Sequence, residues 1–385
     1  MKKYQFFNNV LAVAAMFFMA QSFTSCALFD TEDEEEVNLT GIPADKDATP
    51  DPIVTDENTV IPNFQYMVEY EHGEPVIRLD LTGIQNPNNL EWMRLCGTGS
   101  PEQNVWVSVD GMPKGFTVSN SIDSENHRVV NVDLVFLIDN SGSMGQESDT
   151  LAADVVSWAQ KLSRSTMDIR FGCVGYDGRI TGGIDFTTAD GLYGFLNREG
   201  RYSTSRSKGF EGGNAEELAA STSPYDGYRD QECGVAALRF ADEHFSFRPT
   251  ANRIYVNLTD EPNYTMGRED LSCEYVNNID NWPTSKGTVH TVYSADTTST
   301  VRNYYERPWL LSQYTGGTIM TAPSNFRGVS LDVLPVTGAI QNSAIIRFAN
   351  ARELLDGNFH EVKITVLSPD KTVRAQRTIS VRFTD

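Results

Sequence analysis

Cysteine, histidine and basic side chains are scarce in this chain of 385 residues, and each shortage closes off a class of function. There are 5 cysteines and 5 histidines, with no C-x-x-C pair and no Cys/His spacing of the kind that holds zinc. The histidines are scattered. His290 falls in an apolar stretch that reads as a core strand, where a structural role fits better than catalysis. Lysine plus arginine total 31 against 52 aspartate plus glutamate, a formal charge of -21. Nonspecific nucleic-acid binding rests on neutralising phosphates with cationic side chains, so no nucleic-acid partner is expected. An anionic membrane surface is disfavoured as a direct contact for the same reason. No phosphate-cradling P-loop occurs. A nucleophile elbow requires Gly-x-Ser-x-Gly; Ser143 has Gly145 after it but Ser141 before it, so the motif fails. A calcium EF-hand loop opening at Asp139 requires Gly and Glu where Met144 and Thr150 stand. No base and nucleophile stand in a recognisable catalytic arrangement, and enzymatic activity is not expected. Bilayer-spanning runs are missing too: the apolar stretch from Val10 to Ala20 is too short to cross as a stable helix.

What the chain does contain is a continuous apolar run that ends in oxygen ligands. Val132-Asp-Leu-Val-Phe-Leu-Ile-Asp139 leads into Asn140-Ser141-Gly-Ser143-Met-Gly145. The run reads as a strand buried on both faces, as in a parallel sheet. Asp139, Ser141 and Ser143 then lie where the chain leaves the sheet and turns towards a helix, so three oxygens can be aimed at one point. Hard oxygen ligands suit a hard divalent cation such as Mg2+, with Mn2+ or Ca2+ as alternatives. Neutral hydroxyls hold such an ion without cancelling its charge. The ion stays able to take one more carboxylate oxygen from a partner.

The spacing resembles the DxSxS metal-ion-dependent adhesion site of von Willebrand factor A and integrin I domains, over about residues 129 to 325. The resemblance implies a doubly wound, mostly parallel α/β sheet with the metal at the carboxyl ends of the strands. It implies that Ser141 and Ser143 bind the ion directly and Asp139 through water or hydrogen bonds. Asp260, which ends an apolar strand in Leu258-Thr-Asp-Glu261, matches the family's carboxylate on the fourth strand; the plainer reading is a helix cap or turn. For the middle loop, Glu232 fits the pattern of a Glu just before a helix, and Glu217 after Gly212-Gly-Asn is the alternative. Both also suit helix N-termini through the dipole alone. Integrin β chains carry acidic residues after the DxSxS Met; Gly145 and Gln146 stand there, so no adjacent second metal site is expected, with Glu147 and Asp149 the only nearby acids.

The N-terminus reads as a targeting segment: Lys2 and Lys3, the apolar core, then Phe23-Thr-Ser-Cys26. This resembles a bacterial lipobox with Cys26 as the lipidated residue, although Phe23 replaces the usual Leu; an ordinary secretory signal is the alternative. Asp30-Thr-Glu-Asp-Glu-Glu-Glu36 is similar to the acidic runs of surface lipoproteins in Bacteroidetes, and physically it is a solvated tether expected to run to about Asn58. The expected layout is a signal peptide over 1–25, a tether over 26–58, a β-rich segment over 59–128, the α/β unit over 129–325 and a C-terminal β segment over 326–385.

Within that layout, Tyr66–Tyr70, Val76–Leu81 and Val105–Val109 alternate as strands. Leu151, Val155, Trp158 and Leu162 mark a helix. Ile169–Tyr176, Gly182–Phe186, Ile254–Leu258, Thr288–Tyr293 and Gly317–Met320 read as further strands. Leu192–Leu196, Glu232–Phe245 and Arg302–Tyr314 read as helices, and 198–230 as a long polar loop. Ala344–Phe348, Glu361–Val366 and Arg377–Phe383 read as sandwich strands, joining the first β segment in one sandwich or forming a second. Cys233 and Cys273 can pair, but spacing does not decide connectivity. The function these features imply is a lipid-anchored, outer-membrane adhesion protein, facing the cell surface or the periplasm. Its partner would be a protein or glycan presenting a carboxylate. A structural part of an envelope or pilus-like assembly and a metal-dependent hydrolase are the alternatives.

Overall fold

Strands from the two ends of the chain meet in one layer pair. The structure, a computed structural model, describes residues 41–123, 131–145, 148–164, 168–196, 223–225, 231–249, 251–265, 267–294, 305–323 and 335–384. In the first β-rich segment lie β1 (Phe64–Glu71), β2 (Glu74–Leu81), β3 (Val105–Val109), β4 (Met112–Pro113) and β5 (Phe116–Asn120). The C-terminal segment supplies β12 (Ala344–Phe348), β13 (His360–Leu367) and β14 (Arg374–Val381). They form two four-stranded sheets, β1-β2-β12-β5 and β14-β13-β3-β4, each antiparallel. Register follows the apolar alternation. Val105, Val107 and Val109 stand opposite Val366, Ile364 and Val362, and Leu79 opposite Ile346, all buried in one core. The β3–β4 hairpin turns through Asp110 and Gly111, at φ 52 and 78, the left-handed pair a two-residue hairpin requires.

The polar segment expected to be a free tether up to Asn58 is pinned from Asp45 onward. Lys114 pairs with Asp45 at 3.1 Å, Trp106 Nε1 donates to Thr49 Oγ1 at 3.0 Å, Lys363 pairs with Asp51 at 3.3 Å and Asn58 Nδ2 donates to Thr372 O at 2.8 Å. Its polarity serves contacts with strand residues far away in sequence, which composition alone does not reveal.

Between these segments lies a six-stranded sheet of order β11-β10-β9-β6-β7-β8. Its strands are β6 (Asn131–Asp139), β7 (Asp168–Tyr176), β8 (Ile180–Thr187), β9 (Asn252–Thr259), β10 (Thr288–Tyr293) and β11 (Ile319–Thr321). All pairs are parallel except β7–β8. The link Asp177–Arg179 is too short for a crossover, so β8 must return antiparallel. Helices cover both faces, which is why β6 has no polar side. Leu134, Phe136 and Ile138 pack with α1 (Ser148–Leu162), α2 (Ala189–Leu196) and α6 (Pro335–Gln341). Val135 and Leu137 pack with α3 (Gly234–His244), α4 (Cys273–Asn277) and α5 (Leu310–Thr315). Phe136 and Trp158 meet edge to face at 5.5 Å, fixing α1 on the sheet. The architecture is therefore mixed α/β, with sheets of mixed strand orientation.

Two helices start later than their sequence patterns indicate. Glu232 and Cys233 precede α3, Cys233 being extended at φ -132. Pro308 stands two residues before α5 and disfavours helix in the residue ahead of it; residues 301–304 lie outside the described residues.

The sandwich abuts the amino ends of the strands. Asn63 Nδ2 donates to Gly287 O at 2.9 Å, and Phe64 N to Thr284 Oγ1 at 2.7 Å. The carboxyl ends of β6, β7, β9 and β10 thus lie at the other end of the sheet.

His290 is 2% exposed in β10. Its Nδ1 accepts from Thr318 N at 3.0 Å, while Nε2 has no partner. Burial holds its pKa down to about 3. The folded protein keeps the ring neutral, whereas the unfolded chain takes up a proton below about 6.5, so stability is lost as pH falls from about 6.5 towards 3. We expect His290→Asn to flatten the decline in unfolding free energy by up to about 1.4 kcal/mol per pH unit across that window. Urea melts at pH 6.5, 5.5 and 4.5 check this; parallel declines in both proteins would refute it.

Candidate metal centre

At the point where β6 runs out, its last side chain has nowhere to go but inwards. Asp139 is fully buried. Its Oδ1 accepts from Ser141 N at 2.9 Å and its Oδ2 from Thr259 Oγ1 at 2.6 Å. Asn140 N donates to Tyr176 O at 2.6 Å, tying the turn to β7. The chain then bends into a single helical turn at Ser143–Gly145. This brings Ser141 Oγ within 2.8 Å of Ser143 Oγ, and Ser143 Oγ donates to Asp260 Oδ1 at 3.1 Å. Three oxygens from two loops converge, with Asp139 held beneath them. The loops leave β6 and β9, neighbours whose onward connections run to opposite sides of the sheet, the place where open α/β sheets commonly bind ligands.

Four carboxylates crowd this end of the sheet. Burial and then the charge of Asp260 raise Asp139 to about 7. Glu232 is raised to about 7 by burial and by Glu261, Asp260 and Asp177. Burial, Asp260 and Asp139 do the same for Glu261, to about 7. Asp260 is raised by burial, against the hydrogen bond from Ser143. Among the described residues, no Lys, Arg or His forms an ion pair with any of them, whereas Asp133, Asp242 and Asp270 each have Arg or Lys partners. Mutually repelling acids without a base are the electrostatic complement of a cation. The donors are hydroxyl and carboxylate oxygens, which fit Mg2+, Mn2+ or Ca2+ and not a soft metal. Among the described residues, no group of three or more His, Cys, Asp or Glu side chains is arranged to hold a metal by itself; two of the converging oxygens here belong to serines.

Asp139, Ser141, Ser143 and Asp260 are brought into one hydrogen-bonded cluster. Glu232 stands beside it, coupled to Asp139 and Asp260 by charge and tied to the Asp260 loop where its carbonyl accepts from Tyr264 N at 2.9 Å. Glu217, Gln146, Glu147, Cys26 and the acidic run 30–36 lie outside the described residues, as do the side chain of Asp149 and most of the 198–230 loop. Cys233 and Cys273 are both buried free thiols. Sequence reading passed over Thr259 and Glu261. The available signal was the polar residue at every second place of Tyr255-Val-Asn257-Leu-Thr259, in a strand otherwise apolar.

No family model matches this chain. No curated protein matches it significantly either. Solved structures with some likeness include the mussel byssus proximal thread matrix protein 1 with a zinc-occupied MIDAS motif, at TM-score 0.37 and 11% identity, covering 60% of this chain and 49% of that one. The human COPII-coat protein Sec24c gives TM-score 0.33 at 11% identity, covering 88% and 56%. The pilus adhesin SpaC from Lactobacillus rhamnosus GG in its open conformation gives 0.35 at 9%, covering 82% and 49%. The chain spans about half the length of each.

Proposed function

We propose that this chain is a cation-dependent adhesion protein whose middle unit is a doubly wound, von Willebrand factor A-like domain. The observation that carries this reading is the Ser141–Ser143–Asp260 cluster beside Asp139, Glu232 and Glu261, with no base paired to any of these acids among the described residues. Ser141 and Ser143 would hold the ion, Asp139 and Asp260 would orient around it, and Glu232 would adjust the local charge. A hard divalent cation there supplies an open coordination position for one carboxylate oxygen. The partner is then a protein or glycan presenting an acid group, and the reading is of binding without turnover. The sandwich stands at the other end of the sheet and does not cover the cluster, which supports this reading.

The anchor belongs to the same proposal: Cys26 carries lipid and holds the protein at the outer membrane. Among the described residues, no helix is long and apolar enough to cross a membrane. Fractionating cells that express Cys26→Ser checks the anchor, since release into the soluble fraction is expected.

Mn2+ titration by calorimetry tests the site. The native protein should bind one ion, and Asp139→Ala should bind at least 10-fold more weakly. Equal affinities would overturn the assignment. A partner complex insensitive to chelator would favour the assembly role, and metal-dependent turnover of model esters the hydrolase.

A further inference from the structure

Beneath the oxygen cluster runs a row of polar groups that the cation reading leaves unused. On the face of the sheet covered by α3 and α5, Tyr176, Asn257 and Thr259 are 1%, 0% and 2% exposed. Their neighbours on the strands, Val174 and Tyr255, belong to the core. Tyr176 Oη donates to Asn257 Oδ1 at 2.8 Å. The same hydroxyl and the Thr259 side chain line one small cleft, and the Thr259 hydroxyl donates to Asp139 Oδ2. Burying three polar groups side by side costs stability that apolar residues would not, so their retention needs a reason.

One detail gives the row a direction. Asn257 Nδ2 is buried without an acceptor. Turning that amide by half a circle, which leaves its shape unchanged, lets Nδ2 donate to Tyr176 Oη. Tyr176 is then free to donate to Thr259 Oγ1, and Thr259 donates to Asp139. Every hydroxyl then donates towards the carboxylate, and the buried group left without a partner is an amide oxygen in place of an amide N–H pair. Gly234 makes room for this: a Cβ there would stand 3.0 Å from Asn257 Nδ2 and 3.4 Å from Tyr176 Oη.

We propose that Tyr176 is a positioning residue for the cation site, acting through Thr259 to orient Asp139 and braced by Asn257. The inference rests on the reading of the Asp139 cluster as a cation site. Tyr176 touches neither ion nor partner; it sets where the Asp139 oxygens point.

The test is Mn2+ titration of the full chain, with melting temperature recorded for every variant. Tyr176→Phe should weaken Mn2+ binding about 10-fold or more. Thr259→Val should do at least as much, and Thr259→Ser, which keeps the hydroxyl, should restore affinity to near native. Tyr176→Phe added to Thr259→Val should cost nothing further, because the tyrosine acts through the threonine. Gly234→Ala, which crowds the pair from the helix side, should also weaken binding and serves if Tyr176→Phe does not fold. Native affinity in Tyr176→Phe, or losses that multiply in the double variant, would overturn the proposal while leaving the cation site standing. Absence of Mn2+ binding by the native protein would sink both.

Discussion

Asp133→Ala is expected to cost the fold about 3 kcal/mol, at the low end of the range for breaking a buried ion pair. Asp133 interrupts the apolar run of β6 and has no exposed surface. It accepts from Arg170 Nε at 3.0 Å and Nη2 at 2.8 Å, and from Arg248 N at 2.7 Å and Nε at 2.9 Å. Alanine leaves two guanidinium groups around an empty space. The loss falls short of the full penalty because Arg170 keeps Ser246 O and the Phe186 ring, and Arg248 keeps Asp168. Asp168 is 57% exposed by side chain, so Asp168→Ala should cost under about 1 kcal/mol. Urea unfolding checks the pair: the midpoint should fall for Asp133→Ala with an unchanged slope. A loss no larger than that of Asp168→Ala would refute the role assigned to Asp133.

Mg2+ is expected to raise the melting temperature of the native protein and to leave the double variant Ser141→Ala/Ser143→Ala unmoved. Crowded acids, unpaired with any base among the described residues, destabilise the folded state, and a cation bound only when folded adds about 2.7 kcal/mol at 100 times its dissociation constant. The serines are the direct donors in this reading; Ser143 is exposed, and the buried Ser141 hydroxyl bonds Ser143, so replacing both together leaves neither hydroxyl unpaired and the variant should fold as well as the native chain in chelator. Thermal melts in Mg2+ and in EDTA separate the outcomes. A shift of equal size in the variant would place the ion elsewhere, and no shift in the native protein would remove the ion from the account.

Local pattern was enough for the parts of this protein that local forces shape. The apolar run of β6, the spacing of Leu151, Val155, Trp158 and Leu162 along α1, and the alternation of Val105–Val109 each correspond to an element in the structure. They do so because side-chain periodicity sets which face can be buried, whatever the partner. The candidate ligands Ser141 and Ser143 were legible for a related reason: two hydroxyls two residues apart on one short turn need no distant partner to meet, whereas Asp139, legible as the end of β6, is oriented by Thr259 of β9. Asp260 was legible as a strand end. That its carboxylate reaches Ser143 is a fact of β6–β9 pairing.

The sequence by itself determined the strongly patterned strands and helices and which turn carries the hydroxyls. Tertiary structure alone decided the rest. It paired β2 with β12 across the inserted unit, pinned the polar stretch 45–58 to the sandwich and started α3 after Glu232. It also set Glu261 among the other acids and lined Asn257, Tyr176 and Thr259 beneath Asp139. The physical reason is that charge repulsion, burial and hydrogen-bond direction depend on distance in space. Those distances are created when strands far apart in sequence pair.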